Sequence, residues 1–79
     1  MTNDEIKEAL RNQCKIAHLD KTHRTAIVYD HAQAWRVTVD KFGRFISSLE
    51  LVTGGNHPSV TIANADECEL WEGEIKWTD

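Results

Sequence analysis

The sequence predicts a small α+β domain, with one N-terminal helix packed on a mostly antiparallel β-meander that ends in a C-terminal hairpin. Three observations carry that expectation. Helical periodicity is confined to the first quarter of the chain. Period-two alternation of β-branched and aromatic residues fills most of the remainder. Turn-forming residues punctuate it at short intervals.

The helix is expected over residues 3–19. Thr2 followed by Glu5 makes a capping box, in which each side chain satisfies the other residue's free backbone N–H. Asp4 and Glu5 suit the positive end of the helix dipole. Ile6, Leu10, Cys14 and Ala17 then form one apolar stripe without Pro or Gly, and turn formers arrive only at "LDKTH".

Strands are expected at 25–30, 34–40, 44–52, 59–63, 68–71 and 74–78. "TAIVYD" has apolar residues on both faces, as a central strand would. "AWRVTVD" alternates, with Trp35, Val37 and Val39 on one face. "DKFG" closes a turn in which Gly43 takes positive φ. "RFISSLELV" places Phe45, Leu49 and Leu51 on one face, "TGGNHP" is a loop, and "SVTIA" is a short strand. The last segment has two readings. Asn64 and Glu67 suit the cap of a helix, but that helix leaves Leu70 on the wrong side and Gly73 in its last turn. A hairpin turning at Glu72 and Gly73 places Leu70 opposite Ile75 and Cys68 opposite Trp77, and is preferred.

With 79 residues, 41% hydrophobic and 28% charged, the chain supports one globular domain with a small core. It has no apolar run of about 18 residues and no secretory leader pattern, and two cysteines are too few for a disulfide scaffold. A cytoplasmic setting is therefore expected. The net charge of −4 is unevenly placed, because residues 59–79 hold six carboxylates against Lys76 alone. Concentrated acidity of this kind steers basic partners.

Chemical motifs are sparse. Cys14 and His18 stand four apart, a spacing that pairs zinc ligands on one helix face, and Cys68, His23, His31 or His57 would complete the set. No C-x-x-C or H-x-x-H pair supports them, and Cys14 falls in the apolar stripe, so no metal and no cofactor is expected. Ser47 and Ser48 lack a strained elbow. Tyr29, Asp30 and His31 cluster at a turn, where strand alternation would point neighbouring side chains apart. "TGGNH" lacks the Lys-Ser/Thr and the following helix of a phosphate loop. Lys7, Arg11 and Lys15 form a basic ridge that Asp4 and Glu8 partly neutralise, in a chain of acidic pI, which disfavours nucleic acid. No enzyme is expected.

Partner binding is what the residues favour. In the hairpin reading Trp71 shares a face with Glu69 and Glu74, and Glu72, Asp66 and Glu67 add charge beside it. Tryptophan is enriched among interface hot spots. The expected function is that of a small, acidic, non-enzymatic protein–protein interaction module. It would act as an inhibitor or antagonist, of phage or mobile-element origin, docking an acidic aromatic face on a basic protein surface such as that of a nucleic-acid-binding protein. Two other readings stand beside it: a metal-stabilised or ligand-binding accessory domain using Cys14, His18 and Cys68, and a homodimeric structural domain.

Overall fold

The computed structural model describes residues 1–75 and residue 77. One helix, α1 (Asn3–Asn12), precedes six strands: β1 (Ile16–Asp20), β2 (Thr25–Tyr29), β3 (His31–Val39), β4 (Phe45–Val52), β5 (Val60–Asn64) and β6 (Cys68–Leu70). A 3-10 turn, Ala65–Glu67, links the last two strands. The strands form two antiparallel three-stranded sheets, ordered β2-β1-β6 and β3-β4-β5. The protein is thus a small α+β domain of the expected class. No helix among the described residues is long and apolar enough to cross a membrane.

The two sheets join at two corners. β2 runs into β3 through Asp30 alone, and the Asp30 N–H donates to the Val52 carbonyl at 2.9 Å. β5 runs into β6 through the 3-10 turn. Each corner moves the chain from one sheet to the other, as strands do where two packed sheets share an edge. A β-bulge between Ala32 and Ala34 adjusts the register of β3 on β4 just after the first corner.

α1 begins as its sequence dictates. The Thr2 hydroxyl accepts the Glu5 N–H, and the Glu5 carboxylate accepts the Thr2 N–H at 2.9 Å. The helix ends seven residues earlier than expected. Gln13 adopts the left-handed conformation, φ 53° and ψ 45°, and the Cys14 N–H closes back on the Ala9 carbonyl. No glycine announces this stop, so the apolar stripe carries the helical reading into "KIAHLD". That segment instead forms β1, the central strand of its sheet, with Ile16 and Ala17 both buried.

β2 is correspondingly an edge strand and not the expected central one, and its Ile27 and Val28 remain exposed. The turn after β3 forms as read. Gly43 has φ +78°, and Asp40 accepts the N–H groups of Phe42 and Arg44. At the chain's end Leu70 lies opposite Ile16 and Cys68 opposite His18, in place of Ile75 and Trp77. The expected arm at 74–78 includes Lys76 and Thr78, which lie outside the described residues.

The core lies between the sheets and under α1, which packs on β3. Ile6 and Ala9 from the helix meet Ile16, Tyr29, Ala32, Leu49, Leu51, Ala63, Ala65 and Cys68. Trp35 and Leu70 close its margins. Four of the ten are alanines, so the helix and sheets approach closely over a thin core.

Candidate binding surface

The acidic residues are positioned by the second corner. Ala65 is buried and anchors the 3-10 turn, which leaves Asp66 and Glu67 exposed. The Met1 nitrogen donates to the carbonyls of Ala65 (3.0 Å) and Cys68 (3.2 Å) and ties the turn to the start of the helix. Asp66 and Glu67 border an open depression of about 460 Å³ with His18, Asp20 and Lys21. The Glu67 carboxylate stands 3.9 Å from His18 Nε2.

Beyond the turn, alternation along β6 buries Cys68, half-buries Leu70, and exposes Glu69. The Trp71 N–H donates to the Lys15 carbonyl at 2.9 Å, which extends the β1–β6 ladder by one rung and fixes the tryptophan backbone. Trp71 itself is half-buried. Gly73, at φ +98°, bends the chain so that Glu69, Leu70, Glu72 and Glu74 line a second open depression of about 340 Å³. Glu69, Glu72 and Glu74 are all exposed, and none has an ion-pair partner among the described residues. The six expected partner-binding residues therefore fall into two groups. Asp66 and Glu67 sit beside the end of β1, and Glu69, Glu72 and Glu74 gather around Leu70 next to Trp71.

A second surface is apolar and escaped the sequence reading. The β3–β4 hairpin outruns the core, so the row that begins with buried Leu49 continues into exposed residues. Val37 is 54% exposed, Val39 60% and Phe45 79%, although alternation puts them on the same face as Trp35 and Leu49. Phe42 at the tip is exposed too, with Lys41 Nζ and the Arg44 guanidinium each about 5 Å from its ring centre. An open groove of about 500 Å³ separates Phe45 and Ser47 from Ala65, with Asp66 and Asp40 on its rim. Strand length was the available signal: β3 and β4 have nine and eight residues, while the other strands have three to five.

The remaining candidates are relocated. Cys14 lies beyond the helix and His18 on β1, so they do not share a helix face. His18 and Cys68 are cross-strand neighbours, yet no three His, Cys, Asp or Glu side chains converge among the described residues. The Cys68 thiol donates to the Asn64 carbonyl, and burial pushes its pKa up to about 11, so it stays protonated and unreactive. Asp30 and His31 do meet, contrary to strand alternation, with His31 Nδ1 2.8 Å from Asp30 Oδ2. Asp30 occupies the corner between two strands, where alternation lapses. The Asp20–His23 pair has the same 2.8 Å separation inside the β1–β2 turn. The Asp20 carboxylate also accepts the Thr22 and His23 N–H groups and so holds its turn, while at the corner it is the Asp30 backbone N–H that bonds across to Val52.

Compared with protein-family models, with curated proteins and with solved structures, the chain matches none.

Proposed function

We propose that this protein is a non-enzymatic interaction module that docks its acidic C-terminal segment on a basic surface of another protein and so blocks or competes for that surface. The observation that carries the reading is the arrangement of Glu69, Glu72 and Glu74. These are three exposed carboxylates without ion-pair partners among the described residues, gathered round Leu70 beside a half-buried Trp71. Unpaired surface carboxylates set up a field that steers a cationic surface and raises its association rate. A tryptophan whose backbone is already fixed loses little freedom on contact, so its ring can serve as an anchor. A reducing cytoplasm suits the two free thiols, and an antagonist of a nucleic-acid-binding protein is the partner class that fits, because such proteins present dense basic patches.

The test captures partners from a cellular lysate, identifies them, and titrates each purified partner against the wild type and two variants. Changing Glu69, Glu72 and Glu74 to Gln should slow association at least tenfold at low salt and flatten its salt dependence. Trp71→Ala should weaken binding tenfold or more, mainly through faster dissociation, which corresponds to about 1.4 kcal/mol. Partners that bind both variants as tightly as the wild type, with an unchanged salt slope, would refute the proposal.

A further inference from the structure

We propose that β5 is a self-pairing edge, and that two copies of the chain join antiparallel through it about a two-fold axis at Thr61, making one six-stranded sheet from two β3-β4-β5 sheets. Among the described residues four strands lie at sheet edges: β2, β3, β5 and β6. Natural edges are protected by charge, proline, bulges, shortness or a covering loop. β6 is three residues long with Glu69 at its centre. β3 carries a bulge near its start and Arg36 at mid-strand, ion-paired to Glu50 at 2.7 Å. β2 has no charge within it but is bracketed by charged residues, Arg24 before it and Asp30 after it, which a strand added along that edge would have to pass. β5, "VTIAN", has none of these devices within its five residues, Pro58 standing two positions before it, and its register on β4 is unbroken over all five.

The edge is also held ready. At its start the Ser59 N–H donates to the Thr53 hydroxyl at 2.9 Å, and the Thr53 N–H donates to the Ser59 carbonyl at 3.0 Å. A strand already in place pays little ordering entropy when another strand adds to it. Its row of outward N–H and C=O groups is the hydrogen-bonding template.

A second copy is favoured over a foreign strand because β5 is complementary to itself. Antiparallel pairing centred on Thr61 sets Val60 opposite Ile62 of the second copy and Ile62 opposite its Val60. Four β-branched side chains then cluster on one face, where in a single chain Val60 is 50% and Ile62 57% exposed. No charge meets a like charge along the paired segment, because residues 58–65 contain none and the −4 net charge resides elsewhere. Two-fold pairing consumes both copies' edges and closes, so it protects the strand as well as joining the chains.

Analytical ultracentrifugation at 5–100 µM tests this, the range being set by roughly micromolar affinity for a small interface. The wild type should sediment as a dimer, and Ile62→Lys as a monomer with an unchanged far-UV spectrum. Ile27→Lys on β2, and the Gln replacements of Glu69, Glu72 and Glu74, should remain dimers, so failure of this proposal is separable from failure of the acidic-surface reading. Thr61→Cys in a Cys14→Ser background should cross-link to its own copy with a short thiol-specific bifunctional reagent, which spans the roughly 4.5–5.5 Å between Cβ atoms of residues opposite each other at a two-fold. That cross-link decides the matter even if Ile62→Lys fails to fold. A wild-type monomer throughout the range, an open-ended oligomer, or a dimer that does not cross-link at position 61 would overturn the proposal.

Discussion

Leu49 and Phe45 sit four residues apart on the same strand and the same face, yet opposite consequences are expected when they are truncated. Leu49 is fully buried, with Trp35 opposite it on β3 and Ala63 opposite it on β5. Leu49→Ala removes its packing and leaves a cavity in a thin core, at a cost of about 2–5 kcal/mol. Phe45 keeps 79% of its surface in water. Burying a whole Phe side chain is worth about 1.5–3 kcal/mol, so the buried fifth contributes about 0.5 kcal/mol, and threonine preserves the strand preference. A 79-residue domain has about 4–12 kcal/mol in all, so Leu49→Ala consumes a large part of the total and Phe45→Thr almost none. Urea unfolding followed by tryptophan fluorescence reads both. With a slope near 1 kcal/mol/M, the midpoint should fall by about 2 M or more for Leu49→Ala and by about 0.5 M for Phe45→Thr. Equal midpoint shifts would mean that the hairpin end is packed against something in solution, and the reasoning from exposure would be wrong.

Removing the N-terminal cap with Thr2→Ala should cost about 1 kcal/mol and lower the melting temperature by about 4–8 °C; a shift below 1 °C would leave the capping box without a stabilising role. Asp40 is held below the usual carboxylate range, first by the Arg44 N–H, then by the Arg44 guanidinium and the Phe42 N–H. Its depressed pKa makes its contribution to stability complete above the unfolded value of 3.8 and lost as pH falls through the folded value. Acid unfolding of Asp40→Asn should therefore be less steep than that of the wild type below pH 3.8, and identical profiles would contradict the assignment. Iodoacetamide at pH 8 should modify half-buried Cys14 in the native protein and spare Cys68, whose thiol at about 11 is ionised in only about one molecule in a thousand. Mass spectrometry showing both thiols modified at one rate without denaturant would overturn that burial.

The parts of the fold that the sequence revealed are those settled by neighbours along the chain. The Thr2–Glu5 box, the Gly43 turn and the alternation of β3 and β4 each depend on residues within a few positions of one another. The errors occur where a distant strand decides. Gln13 enters the left-handed region without being glycine, and "KIAHLD" satisfies a helical stripe and a strand equally; pairing with β2 and β6 selects the strand. Asp30 meets His31 because a corner lies between them, and no local pattern marks a corner. For the binding surface, the sequence located the carboxylates but could not say which of them share a depression. It missed the apolar overhang because alternation assigns a face and says nothing about where the core ends.

That overhang follows from the size of the chain. A domain this small buries only about 60% of its unfolded surface, and its core here is thinned by Ala9, Ala32, Ala63 and Ala65. In the β3–β4 hairpin the packed residues stop at Trp35 and Leu49, while pairing continues through four more positions to Val39 and Phe45. At about 3.3 Å per residue, roughly 13 Å of paired strand projects past the core. Hydrogen bonds between two strands alone are marginally stable in water, so this projection adds little to folding. A hairpin needed only for packing would turn at Val37, and Val39, Phe42 and Phe45 would be replaceable by polar residues without loss. Val39, Phe42 and Phe45 nonetheless stand there as exposed apolar side chains, and Phe45 shares a groove with Asp66, so open apolar surface lies beside one of the carboxylates of the proposed docking segment.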